Sequence, residues 1–318
     1  SYLVRTEVEA AGNRIEAAQG YFLARGAIDA AVDSMARSTF LSPVARGGAA
    51  SRPEFVQGQR WLRYDFPGGR CVVEVVPENA KLNANLASPE QLAALFRALG
   101  VSPGESAALG RAIEDWRSPR LSEQGSVFDA YYAGLTRPYR ARHVPLEQLE
   151  ELLPVKGMSR ELFFGGMEET REGEWLRRPP LADLLTVAAT RGAINPNYAP
   201  QEVLVSLPGW NAAAAAQVLA VRERTPFESP NEIEAVAPSI TDGADGNAPS
   251  SLTIAQGPFY MLTATCSQPD SMVRRSARAL VEIAANRPLY HQVVAWWDNW
   301  PFPNEPPQPL GAEVEQAP

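Results

Sequence analysis

Val4, Val8, Ala11, Ile15, Ala18 and Phe22 follow one another at steps of four, three, four, three and four residues, the spacing of a single stripe on an α-helix. No proline interrupts the chain before Pro43, and alanine and glutamate favour helix throughout, so the pattern predicts one helix over residues 2–38. At 1.5 Å per residue this helix is roughly 50 Å long, more than a small domain needs to cover its core. Two packing outcomes are open. The segment is either a long core helix, or a helix of which part projects and offers Val4, Val8, Ala11 and Ile15 to a partner chain.

Residues 39–59 read as a loop. Leu62, Tyr64 and Phe66 then alternate with polar positions, Pro67-Gly68-Gly69 makes a turn, and Arg70 to Val76 follow as a valine-rich strand, which together predict a hairpin. From about 86 to 240 the pattern changes to short helical stretches broken by Pro and Gly. Strand patterns return at 251–268, 272–285 and 289–297. Phe259, Met261, Thr263 and Thr265 share one face of the first, and Ala277, Ala279, Val281 and Ile283 one face of the second. The predicted fold class is α+β, with a long N-terminal helix on an antiparallel sheet. Helix and first hairpin occupy 1–85, a large all-helical domain is inserted at 86–240, and strands in 241–300 complete the sheet. Strands this far apart can still pair, because loop-closure entropy grows only logarithmically with length. Residues 301–318 hold six prolines and no apolar period, and are predicted to be a disordered tail.

Inside the predicted insertion lies a repeat. Asn83-Ala-Asn85-Leu-Ala87-Ser-Pro-Glu90-Gln-Leu92 recurs as Asn195-Pro-Asn197-Tyr-Ala199-Pro-Gln-Glu202-Val-Leu204, and Leu95 is matched by Leu207, all at one constant offset of 112 residues. The chemistry fits a helix entry. Asparagine side chains bond local backbone groups, Ser88 or Pro200 precedes the helix, and Glu90 or Glu202 suits the positive end of its dipole. The paired asparagines Asn83, Asn85, Asn195 and Asn197 either hold these turns together or bind a ligand or metal. The second copy continues as Leu207-Pro208-Gly209-Trp210, a helix, and Pro226-Phe227, a helix-hairpin-helix-like arrangement. Pro145-Leu146 to Leu152 resembles its ending.

Charge narrows the function. The formal net charge is -8, and lysine occurs only at Lys81 and Lys156, so the chain carries no dense basic block for nucleic acid. No run of about 18 apolar residues spans a membrane. Cys71 and Cys266 are too few for a disulfide framework or a thiol metal cluster, leaving either one disulfide or two buried thiols. His143 and His291 are the two imidazoles, and neither sits in a nucleophile or zinc motif. Nothing marks an enzyme or a small-molecule substrate site.

In combination and in order, several pieces resemble the K-class minor pseudopilins of bacterial type II secretion. They are Gln19 to Ala31 in the first helix, Lys81-Leu82-Asn83-Ala84-Asn85, Ala112-Ile113-Glu114-Asp115-Trp116, Tyr131-Tyr132, Pro138-Tyr139-Arg140, Leu149–Met158 and Gly192 to Asn197. The resemblance covers about residues 5–290. It implies a non-enzymatic structural subunit at the tip of a periplasmic pseudopilus, in contact with the I-class and J-class minor pseudopilins, helping to start assembly for export of folded proteins. It also implies a leader and an apolar helix ahead of Ser1 that anchors the periplasmic domain in the inner membrane.

The sequence departs from the family after Asp115-Trp116. Relatives continue with further acids, a donor set suited to calcium, whereas here Arg117-Ser118-Pro119-Arg120 follows. Calcium takes six to eight oxygen ligands, and Asp115, Glu123 and Asp129 beside two arginines make a poor cage. A second acidic loop, with Asp242 and Asp245, does not fit EF-hand spacing and reads as a solvated turn. Two other readings share parts of the pattern. One is a helix-hairpin-helix nucleic-acid-binding protein, disfavoured by Trp210 in the turn and by the acidic balance. The other is another pilin-like surface or adhesion protein.

Overall fold

The computed structural model describes residues 2–41, 55–56, 58–120, 125–169, 175–188, 192–238, 252–269 and 274–300. The chain begins with α1 (Tyr2–Phe40), β1 (Trp61–Phe66) and β2 (Gly69–Pro77). A middle stretch follows, with β3 (Leu82–Asn83), α2 (Pro89–Ala98), α3 (Pro103–Arg117), α4 (Val127–Ala133), α5 (Arg160–Phe164), β4 (Gly166–Glu169) and β5 (Trp175–Arg178). It continues with β6 (Leu185–Thr186), α6 (Gln201–Val205), α7 (Ala212–Arg222) and α8 (Pro230–Val236). The chain closes with β7 (Phe259–Ser267), β8 (Arg274–Ile283) and β9 (His291–Trp297). The predicted tail, 301–318, lies outside the described residues.

The elements form two compact units, one running through Pro77 and resuming at Pro258, the other Glu78–Gly257. The joins fall outside the 86–240 span in which the sequence changes character, and hydrogen bonding explains why. Leu82 N–H donates to the Leu184 carbonyl, Thr253 N–H to the Ile194 carbonyl, and Asn79 Nδ2 to the Ala255 carbonyl, so both flanks belong to the middle unit.

The first unit is α1 laid on a five-stranded antiparallel sheet in the order β1-β2-β7-β8-β9. The helix buries Ala24, Ala27, Ile28, Ala31, Val32 and Met35, a face at helical spacing whose alanines let the strands come close. Against it stand Val73 and Val75 of β2, Leu262 and Ala264 of β7, and Ala277, Ala279 and Val281 of β8. On β7 the core is thus lined by the residues alternate to Phe259, Met261, Thr263 and Thr265. At Gly20 the helix leaves no room for a side chain, since a Cβ there would stand 2.6 Å from Arg275 Cγ. Just before it, Gln268 Nε2 donates to the Glu16 carbonyl at 3.1 Å. The β2–β7 register sets Cys71 opposite Cys266, and of the two outcomes open for these residues the structure holds the disulfide.

The middle unit is mainly helical, with short two-stranded ladders β3–β6 and β4–β5. It is built twice from one plan. Asn83 Oδ1 accepts the Asn85 N–H at 2.8 Å, and Asn195 Oδ1 accepts the Asn197 N–H at 3.1 Å. Asn85 then exchanges two bonds with Leu146, 2.9 Å from Nδ2 to the carbonyl and 2.8 Å from the N–H to Oδ1. Asn197 does the same with Phe227, at 2.9 and 2.8 Å. The residue before each asparagine pair, Leu82 or Ile194, makes a parallel bridge, to Leu185 or Leu252. An arginine closes each copy. Arg117 donates to the Ala84 and Ala87 carbonyls, and Arg222 donates to those of Pro196 and Ala199, both at 2.6 Å. Each turn is therefore satisfied from within.

Candidate assembly surface and cleft

Two features of the described residues stand apart from the packed cores. The first is the uncovered side of α1. Ala11, Ile15, Ala18 and Phe22 are exposed, Ile15 by 59% and Phe22 by 66%, while the opposite face of the following turns is buried. Val4 and Val8 fall on the same helical line, but their side chains lie outside the described residues. Each large apolar group on this line would contribute about 1.5–3 kcal/mol if a partner buried it fully. An exposed leucine is ordinary, but exposed apolar residues in register along three turns of one helix form a patch that suits a second helix.

The second feature is a cleft of about 540 Å³ in the middle unit, lined among others by Arg111, Asp115, Arg120, Phe128, Asp129 and His143. Its walls come from α3 and α4. Ser126 caps α4 by accepting the Asp129 N–H, and Asp129 Oδ2 returns the bond by accepting the Ser126 N–H at 3.0 Å, a capping box. On α3, Trp116 is buried edge-on against Tyr132, which stacks on Tyr139. The Tyr132 hydroxyl accepts the Lys156 N–H, and burial raises its pKa to about 12.

His143 closes the cleft. Its backbone is left-handed, with φ 54°, a conformation few residues outside glycine adopt. Its N–H donates to the Trp116 carbonyl at 2.9 Å. The ring bridges two acceptors, the Ser118 carbonyl 3.2 Å from Nδ1 and Asp129 Oδ1 3.0 Å from Nε2. Only the doubly protonated ring donates to both. Burial opposes that charge more than any single contact favours it, yet Asp129, the Ser118 carbonyl and Asp115 together hold the pKa above the ordinary value. With both nitrogens bonded, His143 has none left to act as a base.

Glu123, Asp242 and Asp245 lie outside the described residues. Asp115 and Asp129 share the cleft, but Asp129 Oδ1 faces His143 and Arg120 and its Oδ2 takes a backbone N–H. Burial raises the Asp129 pKa, and the His143 and Ser126 hydrogen bonds outweigh that and bring it below the ordinary value. Asp115 Oδ2 is buried with no hydrogen-bond partner. One free carboxylate oxygen is no cage for an ion needing six or more, and among the described residues no three acidic, His or Cys groups could hold a metal. Asp115 and Asp129, the described members of the donor set, do not fit calcium. The four asparagines hydrogen-bond within and across their turns. Sequence reading missed His143 and the two arginine clamps. The two clamps, Arg117 and Arg222, lie beyond helices of unequal length, out of the repeat's register.

Residues 72–164 match one model of the family described as type II secretion system (T2SS), protein K, and residues 194–254 match a second model of that description. The chain belongs to the type II secretion system protein K family. The first match holds Asn83, Asn85 and Leu146, the second Asn195, Asn197 and Phe227, so the protein K models divide between the two copies of the plan. Among solved structures, the fold is similar to a chain of the GspK-GspI-GspJ complex of the type 2 secretion system from enterotoxigenic Escherichia coli. The TM-score is 0.55 at 16% identity, covering 93% of this chain and 99% of that one. No curated protein sequence matches the chain. As a member of the protein K family, it is a minor pseudopilin, a structural component of the secretion pseudopilus.

Proposed function

We propose that this protein sits at the tip of a type II secretion pseudopilus and helps to start its assembly for export of folded proteins. It acts without catalysis, by binding the I-class and J-class minor pseudopilins of the same system. The observation that carries this reading is the exposed apolar line of α1 through Ala11, Ile15, Ala18 and Phe22, on a helix whose other face is fixed to the sheet. Assembly of the structurally similar GspK with GspI and GspJ supports the choice of partners.

The setting is periplasmic, with the domain tethered to the inner membrane by a helix that continues α1 toward its N-terminus. The Cys71–Cys266 disulfide supports an oxidising compartment. Among the described residues no helix is long and apolar enough to cross a membrane. Size-exclusion light scattering of the chain mixed with its cognate I- and J-class periplasmic domains tests the reading. A stable ternary peak is expected. Absence of any complex at about tens of micromolar, far above a typical specific Kd, with all three folded, would sink it.

A further inference from the structure

We infer that the middle unit carries its structural cations in its own side chains and folds without a bound divalent metal. At several places among the described residues of the unit, three of which bear on the turns and the cleft, concentrated oxygen is met by a side-chain cation. The Ala84 and Ala87 carbonyls at the first asparagine turn are taken by the guanidinium of Arg117, which also pairs with Glu114. The Pro196 and Ala199 carbonyls at the second turn are taken by Arg222. The Asp129 carboxylate is met by His143 and Arg120.

Two turns of one plan present the same pair of carbonyls, and at each the positive charge comes from an arginine at the end of the second helix. A guanidinium fills such a site with fixed donors and permanent charge, which a metal would supply only at sufficient concentration. The nearest charged neighbours of the cleft, Arg111, Glu114, Asp115, Arg117, Arg120, Asp129 and His143, already include four groups able to carry positive charge.

The test is thermal unfolding of the full chain in metal-stripped buffer, with chelator, and with calcium at about a millimolar, enough to load weak extracellular-type sites. The midpoint is expected to agree across all three within about 1 °C, with no saturable heat of calcium binding by calorimetry. A calcium-dependent rise larger than that, or saturable binding, would overturn the inference. Arg222→Gln should lower the midpoint by several degrees, and calcium should not restore it. Restoration would mean that the carbonyl pair is a metal cradle. If Arg222→Gln does not fold, Arg120→Gln beside Asp129 puts the question to the cleft: calcium should leave its midpoint unchanged, and a calcium-dependent rise would overturn the inference.

Discussion

Asn85 and Leu146 are 61 residues apart and exchange two hydrogen bonds, the asparagine amide imitating a strand partner for one leucine backbone. Asn197 and Phe227 repeat the relation over 30 residues. Side-chain amides thus close each half of the middle unit without a sheet. Replacing either asparagine with alanine leaves one N–H and one carbonyl without their partner. We expect a loss of about 1–3 kcal/mol for Asn85→Ala, and a similar loss for Asn197→Ala, by denaturant unfolding. Asp at either position keeps the acceptor and loses the donor, and should fall between alanine and the native residue.

The His143–Asp129 pair should give stability a characteristic pH profile. The His143 pKa is raised above its ordinary 6.5, so its contribution is complete below that pH and fades as pH rises through the raised value. The Asp129 pKa is lowered from 3.8, so its contribution is complete above that pH and fades as pH falls through the lowered value. The pair therefore contributes most between about pH 4 and 6.5. His143→Gln should cost about 1–2 kcal/mol near pH 6 and less at pH 9, as read from unfolding midpoints across the range.

The disulfide closes a loop of 195 residues that contains the entire middle unit, joining β2 and β7 at the end of their ladder away from Pro77 and Phe259, where the chain leaves and re-enters the sheet. Chain-entropy reasoning puts the stabilisation at up to about 5 kcal/mol, with 2–4 typical. Cys71→Ala/Cys266→Ala should lower the stability of the helix-and-sheet unit by that range, and reduction of the native chain should do the same.

Lys81 is 2% exposed and its Nζ lies 2.5 Å from Glu78 Oε1, itself buried. Removing one member of such a pair leaves the other charge without its partner in a poor solvent. Lys81→Ala is expected to cost about 3–5 kcal/mol by urea unfolding, and the Lys81→Met/Glu78→Leu double change much less.

The sequence made some of this legible because the relevant patterns were local. Alternation at Leu62, Tyr64 and Phe66 marked β1, and helical spacing marked α1 to within two residues of its end. The repeat showed because Asn83 and Asn195 open their copies at the same offset as the residues that follow. The arginine clamps stayed hidden because α2 has 10 residues and α6 only 5, which shifts Arg222 out of register with Arg117. His143 was hidden for a different reason. Its role depends on a left-handed backbone and on partners at 118 and 129, neither of which leaves a periodic trace. On α1, the stripe from Ala11 to Phe22 was visible but not its destination. It is the exposed side, and the core face begins at Ala24, where alanine carries the contact and hydrophobicity alone gives little signal.

The measurement closest to the central claim is the affinity of the chain for its I-class and J-class partners with Ile15→Asp or Phe22→Asp in α1. Both side chains are mostly exposed, so the variants should fold with unchanged unfolding midpoints. The account expects each aspartate to weaken complex formation at least about tenfold, the equivalent of 1.4 kcal/mol. Undiminished binding by folded variants would contradict it, and would move the assembly surface off this helix.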